Sequence, residues 1–263
     1  LHERDPVAAH FRILRDAGRR ALIPYITAGY PDPARTVELL DLLAECGADI
    51  IELGVPFSDP VADGPTIQRS SFHALERGTT LASTLAMLAA FRQRHDLPVI
   101  LFSYLNPVLG YGVERFIADA VEAGAQGVLL TDLPAGADPP LEARFQDAPL
   151  SFIRLVAPTT SRERLVRIAA RAQGFLYYVG RMGVTGASAT LRPETLDEVR
   201  ALRELTSVPV AVGFGVSTAG QARALARVAD GVVVGSALID ALDDGGVLEV
   251  RQLMGELRRA LDA

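Results

Sequence analysis

The sequence predicts an α/β fold, a single (β/α)8 TIM barrel, from three observations: eight short apolar runs, amphipathic stretches between them, and no composition break along 263 residues. The runs are "ALIPYIT" (21–27), "DIIELGV" (49–55), "PVILFSY" (98–104), "GVLLTD" (127–132), "LSFIRLV" (150–156), "FLYYVG" (175–180), "PVAVGFG" (209–215) and "GVVVGSA" (231–237). Helical periodicity between them makes them parallel strands joined by crossover helices, and eight such units close a ring. A doubly wound open sheet is the rival. It usually carries a glycine-rich dinucleotide loop after its first strand, whereas this chain reads "TAGYPDP" there, with one glycine. Without a linker or low-complexity tract, residues 1–263 are expected to form one barrel domain.

The connecting elements follow the same logic. An extra helix is expected before the first strand. "DPARTVELLDLLAECG" carries Val37, Leu40 and Ala44 on one face, with Asp32 and Pro33 at its start and Gly47 past its end. The segment "GRMGVTGASATLRP" after the sixth strand, with Gly180, Gly183 and Gly186, suits a mobile lid and equally an ordinary surface loop. Composition leaves both open. A short helix is expected to begin near Ser236.

Composition excludes several function classes. With 49% hydrophobic and 22% charged residues and no apolar run long enough for a bilayer, a membrane role is not expected. Net charge is −6 and the arginines are scattered, so nucleic acid is not an expected partner, while a small anion at a local site is compatible. The single Cys46 has no internal disulfide partner, and "LHERDPVAAHF" is too charged for a secretory signal; both fit the cytoplasm. All 26 basic residues are arginine, which excludes a lysine Schiff base. The bias itself reads as a coding-sequence effect.

In this fold chemistry gathers at the C-terminal ends of the strands. Alternation along the second run sends Ile51, Leu53 and Val55 toward helices and Ile50, Glu52 and Gly54 into the barrel. None of His2, His10, His73 and His95 falls at a strand's C-terminal end, and no zinc-ligand spacing is present. Magnesium on Asp59 and Asp63 is only weakly signalled, and no metal is expected. The remaining acid/base candidates are Glu52, Asp59, Asp63, Asp132, Tyr25, Tyr104, Tyr177 and Tyr178. Burial in an apolar barrel would raise the pKa of Glu52 and let it exchange protons near neutrality; a rim glutamate held by hydrogen bonds is the competing reading. Asp63, beside Gly64 and Pro65, is by itself as well explained as a turn or helix cap. Glycines in "GFGVS" (213–217) and "GSA" (235–237), after the last two strands, suit a phosphate site, or else simply make tight turns.

"ELGVPFSDPVADGPTIQ" (52–68), "PYITAGYPD" (24–32), "GVTG" (183–186), "VGFGVS" (212–217) and "VVGSA" (233–237), in this order, resemble the tryptophan synthase alpha subunit family from about residue 10 onward. The resemblance implies a lyase that cleaves indole-3-glycerol phosphate to indole and glyceraldehyde 3-phosphate without metal or Schiff base. It implies Glu52 as general acid/base, Asp63 as acceptor for the indole N–H, Tyr177 as orienting residue, and Thr185 reaching Asp63 as the loop closes. It further implies a phosphate cradle at Gly186, Gly215, Gly235 and Ser236, and an indole pocket of Tyr25, Tyr104, Leu129 and Phe214. A beta subunit carrying pyridoxal phosphate is the implied partner in an alpha2beta2 assembly, docking at Asp59, Pro60, Asn106 and Pro107, with no cofactor in this chain. The family commonly reads serine before the arginine ahead of "xGVTG", and here Gly180 precedes Arg181. Three alternatives stand beside this reading: a stand-alone lyase releasing free indole, an inert activator of the beta subunit, and another phosphate-binding barrel.

Overall fold

Asp5 caps helix α1 (Pro6–Asp16) by accepting the Ala8 N–H at 3.0 Å, and Pro6 fills a first position where a missing N–H costs nothing. Val7, Phe11 and Leu14, spaced i, i+4 and i+7, form its buried stripe. The Asp5 carboxylate also accepts the Ser151 hydroxyl at 2.5 Å and the Gly174 N–H at 2.7 Å, while Phe11 packs on Phe175 with ring centroids 5.4 Å apart. The extra helix expected before the first strand is therefore a plug in the floor of a barrel. The computed structural model describes residues 5–180, 193–213 and 215–263.

All eight expected runs are strands: β1 (Ala21–Thr27), β2 (Ile51–Gly54), β3 (Val99–Ser103), β4 (Gly127–Leu130), β5 (Ser151–Val156), β6 (Leu176–Val179), β7 (Val210–Gly213) and β8 (Gly231–Val234). They pair in sequence order, in parallel, and β8 closes on β1 through the register Ala21↔Gly231 to Pro24↔Val234. Most are shorter than the apolar runs, because pairing stops where the chain turns outward at the top of the barrel. The final "GSA" of the eighth run, for instance, leaves the sheet: Gly235 is the N-cap and Ser236 the first residue of a helix.

Between and after the strands lie α2 (Thr36–Glu45), α3 (Pro65–Glu76), α4 (Leu81–Arg92), α5 (Leu105–Tyr111), α6 (Val113–Glu122), α7 (Pro139–Asp147), α8 (Arg162–Ala169), α9 (Pro193–Glu204), α10 (Ala219–Ala226) and α11 (Ser236–Leu261). The predicted helix after β1 starts later than its sequence marks. Asp32 caps a short 3-10 turn, Pro33–Arg35, and α2 then buries Leu39, Leu40, Leu42 and Leu43. Val37 and Ala44 sit at the edge of that face, because α2 packs against both α4 and α11 and buries a broader strip than one stripe.

Two apolar layers result. Ile51, Leu53 and Val55 join the layer between strands and helices, whereas Ile23, Ile50, Ile100, Leu129, Ile153, Tyr177, Ala211 and Val233 fill the barrel interior above the α1 plug. The period of two read from the sequence is thus the period of the structure. Each fully buried Leu, Ile or Phe contributes about 1.5–3 kcal/mol, and the strands are buried on both faces as parallel strands require. Against that apolar interior a charged side chain is conspicuous.

Candidate active site

Glu52 is that side chain. Its position on β2, paired with Tyr25 of β1 and Ile100 of β3, sends it inward. It is 0% exposed, and neither carboxylate oxygen has a hydrogen-bond partner among the described residues. Desolvation alone pushes its pKa up to about 8. The rim reading, a glutamate held by hydrogen bonds, is not what the structure contains.

Asp63 comes to the same cavity by a different route. From the end of β2 the chain runs through Pro56 and Pro60 and returns to the barrel mouth one residue before Gly64, the N-cap of α3. The loop is internally tied: the Asp63 N–H donates to the Pro60 carbonyl at 3.0 Å, and Gln68 Nε2 donates to the carbonyls of Asp63 at 2.9 Å and Pro60 at 3.3 Å. The Asp63 carboxylate caps nothing, since α3 has no side-chain cap. Burial raises its pKa to about 6, and the neighbouring Tyr104 hydroxyl, which accepts the Ala62 N–H at 2.9 Å, offsets part of the rise.

Two phenols frame the carboxylates. Tyr25 and Tyr177 are buried, and desolvation together with the nearby negative charges of Glu52 and Asp63 raises both pKa values, so both stay protonated as hydrogen-bond donors. Their hydroxyls lie where neighbouring residues lack a Cβ: one built on Gly54 would stand 2.1 Å from the Tyr25 oxygen, and one on Gly213 would stand 2.1 Å from that of Tyr177. Glycine at both positions is what lets the phenols lie flat against the strands. Tyr178, the other tyrosine of β6, faces the helices and donates to Glu198.

The cavity is walled by Tyr25, Glu52, Asp63, Tyr177, Gly215, Gly235 and Ser236 among the expected residues, and by Gly64, Ile67, Phe102 and Val233 that sequence reasoning missed. Phe102 and Val233 were within reach of the same alternation argument that placed Glu52. Ile67 and the loop lock Gln68 depend on how α3 returns over the barrel, which no spacing reveals. Beyond β8, which β1 separates from the strand of Glu52, the first turn of α11 begins at Ser236 and presents backbone N–H groups at the cavity edge, a setting for an oxyanion. Leu129 is fully buried in the interior cluster and is not among the described residues that wall the cavity, while Tyr104 meets Asp63 and packs against Phe57 with the rings tilted, centroids 5.1 Å apart. Thr185, Gly186 and Phe214 lie outside the described residues.

Other expectations resolve by geometry. Asp132 accepts the Leu105 N–H at 2.7 Å and so is engaged at the start of α5. Asp59 is exposed and takes the Ser58 hydroxyl at 2.6 Å, and Asn106 is exposed on α5. Pro60, also expected at a partner surface, is buried with its carbonyl engaged inside the loop. His10 lies in α1, His73 in α3 and His95 beyond the end of α4. Among the described residues no group of three or more His, Cys, Asp or Glu could hold a metal, and no helix is long and apolar enough to cross a membrane.

Comparison with known proteins agrees with the barrel fold. A family model described as tryptophan synthase alpha chain matches residues 11–259. The tryptophan synthase alpha chain of Geobacter sulfurreducens is 50% identical over 233 residues, covering 89% of this chain and 88% of that protein. That of Xylella fastidiosa is 49% identical over 259 residues, covering 96% and 97%. Among solved structures, the tryptophan synthase alpha chain of Legionella pneumophila superposes with a TM-score of 0.90 at 37% identity over 98% of this chain and 97% of that one. A chain of tryptophan synthase from M. tuberculosis gives 0.88 at 36% over 97% and 98%. The chain belongs to the tryptophan synthase alpha chain family.

Proposed function

We propose that the two carboxylates divide the work of cleaving indole-3-glycerol phosphate, the alpha-chain half-reaction of tryptophan biosynthesis, by a retro-aldol route. The observation that carries this reading is the pair of inward carboxylates with pKa values moved apart, about 8 for Glu52 and about 6 for Asp63, at one cavity. Near neutral pH Glu52 is mostly the neutral acid and Asp63 mostly the anion. Glu52 gives its proton to indole C3, and the indolium charge is stabilised at the ring N–H by the Asp63 carboxylate. The Glu52 carboxylate then removes the proton of the glycerol hydroxyl next to the bond that breaks. The oxygen lone pair becomes a carbonyl and the carbon–carbon electrons return to the ring. Indole and glyceraldehyde 3-phosphate leave, Glu52 is again protonated, and the net proton count is zero.

The phosphate would rest on Gly215, Gly235 and the Ser236 end of α11, with Gly186 as a further donor, and the indole between Tyr25, Phe102 and Ile67, with Phe214 as a further apolar neighbour and Leu129 in the interior layer on which Phe102 packs. Tyr177 would orient Glu52, and Thr185 would close on Asp63. The route needs no metal or cofactor from this chain; pyridoxal phosphate would belong to the beta subunit, reached through Asp59, Asn106 and Pro107 in a cytoplasmic alpha2beta2 assembly. Indole release from indole-3-glycerol phosphate, assayed with and without a beta subunit, tests the reading. Glu52→Gln should lose at least about 10³-fold, and Asp63→Asn roughly 10²–10³-fold, on the scale of a general acid/base and a charge-stabilising group. Unchanged release in both would sink the mechanism.

A further inference from the structure

A second cleft, of about 400 Å³, opens at the other end of the barrel, between α1 and the turn leading into β7. Arg12, Arg15, Arg19, Arg20 and Arg203 converge on it, against two aspartates, Asp5 and Asp230, among the described residues of its walls. Both aspartates are engaged inside the fold. Asp5 caps α1 and holds Ser151 and Gly174, while Asp230 takes Arg203 at 3.0 Å and the Val210 N–H at 2.9 Å. Arg19 reaches Asp49 at 3.2 Å, a carboxylate that Arg258 already pairs at 2.6 Å.

Three guanidinium groups remain with little or no carboxylate among the described residues to balance them. Arg12 is exposed, with no acceptor among the described residues. Arg20 gives its Nε to the neutral Ala226 carbonyl at 3.0 Å, and Arg15 has only its exposed neighbour Asp16, at 3.7 Å. Helical spacing explains the convergence: Ala8, Arg12 and Arg15 fall on one stripe of α1 and line the cleft, beside the Phe11 and Leu14 stripe that gives it an apolar floor. A concave surface of one charge sign concentrates counter-ions, and the guanidinium fork suits paired oxygens.

We propose that this cleft binds a small, multiply charged oxyanion, at a site separate from the substrate phosphate and at the opposite end of the barrel. Calorimetric titration of the full chain with pyrophosphate, and in a parallel arm with succinate, tests it and tells a phosphate source from a carboxylate one. The wild type should bind at least one of the two, and Arg12→Gln/Arg15→Gln should weaken that event at least tenfold while indole release is unchanged. Any binding at the Ser236 end persists in that variant and is subtracted. Arg12 and Arg15 carry no hydrogen bond the fold depends on; should the double variant nevertheless fail to fold, Arg20→Gln replaces it with the same expected loss. Absence of binding to both probes, equal binding by the variants, or a response reproduced by sodium chloride at matched ionic strength would overturn the proposal.

Discussion

Two buried carboxylates, one at each end of the barrel, have opposite surroundings. Asp5, 4% exposed, accepts hydrogen bonds from Ala8, Ser151 and Gly174 and so ties α1 to the starts of β5 and β6. Glu52, 0% exposed, accepts none from the described residues and is walled by phenols and apolar side chains. Burial without partners is unfavourable for an anion, and nothing at the Glu52 position returns that cost as stability. A saturated carboxylate holds a fold together, whereas an unsatisfied one at a cavity is a candidate for chemistry.

Stability should separate the two most strongly. Asp5→Ala removes a helix cap and leaves two buried donors unpaired, an expected loss of about 3 kcal/mol in urea unfolding at pH 7. Glu52→Gln should act in the other direction, and the sign follows from linkage. The folded pKa of about 8 lies above the ordinary 4.5, so the contribution of the neutral acid is fully present below about pH 4.5 and is lost as pH rises through about 8. At 1.36 kcal/mol per unit the wild type should fall behind Glu52→Gln by about 3 kcal/mol at pH 7 and up to about 5 kcal/mol above pH 8. A constant difference between the two proteins from pH 5 to 9 would remove the distinction between the ends.

A smaller effect is the pH window of catalysis. Because Asp63 must be ionised and Glu52 protonated, kcat/KM for indole release should decline below about pH 6 and above about pH 8. A rate still rising at pH 9 would exclude Glu52 as the proton donor. The smallest effect concerns the loop between the carboxylates. The Val61 N–H donates to the Asp59 carbonyl at 2.8 Å and the Asp63 N–H to Pro60 at 3.0 Å, so a shift at Asp59 is passed along few soft torsions to Asp63. Asp59→Ala should therefore reduce acceleration by a beta subunit several-fold, and unaltered acceleration would sever this link.

Much of this was legible in the sequence, for physical reasons that can be named. Strand periodicity is local, so all eight strands and the inward direction of Glu52 followed from alternation. Gly215, Gly235 and Ser236, which wall the cavity, lie in the loops after the last two strands, where the rule for this fold directed attention. What escaped depends on contacts between distant segments. Gln68 reads as one more helical residue until α3 folds back on the loop it locks. Asp132 reads as an acid until its partner turns out to be the first turn of α5. Arg12 and Arg203 read as scattered charge until ring closure sets α1 beside the turn before β7.

The central claim is that Glu52 is a buried acid without a hydrogen-bond partner among the described residues, held neutral at physiological pH. Its direct test is the titration of the Glu52 side-chain carboxyl by ¹³C NMR, assigned by comparison with Glu52→Gln. A midpoint near 8 is expected; a midpoint near the ordinary 4.5 would contradict the account.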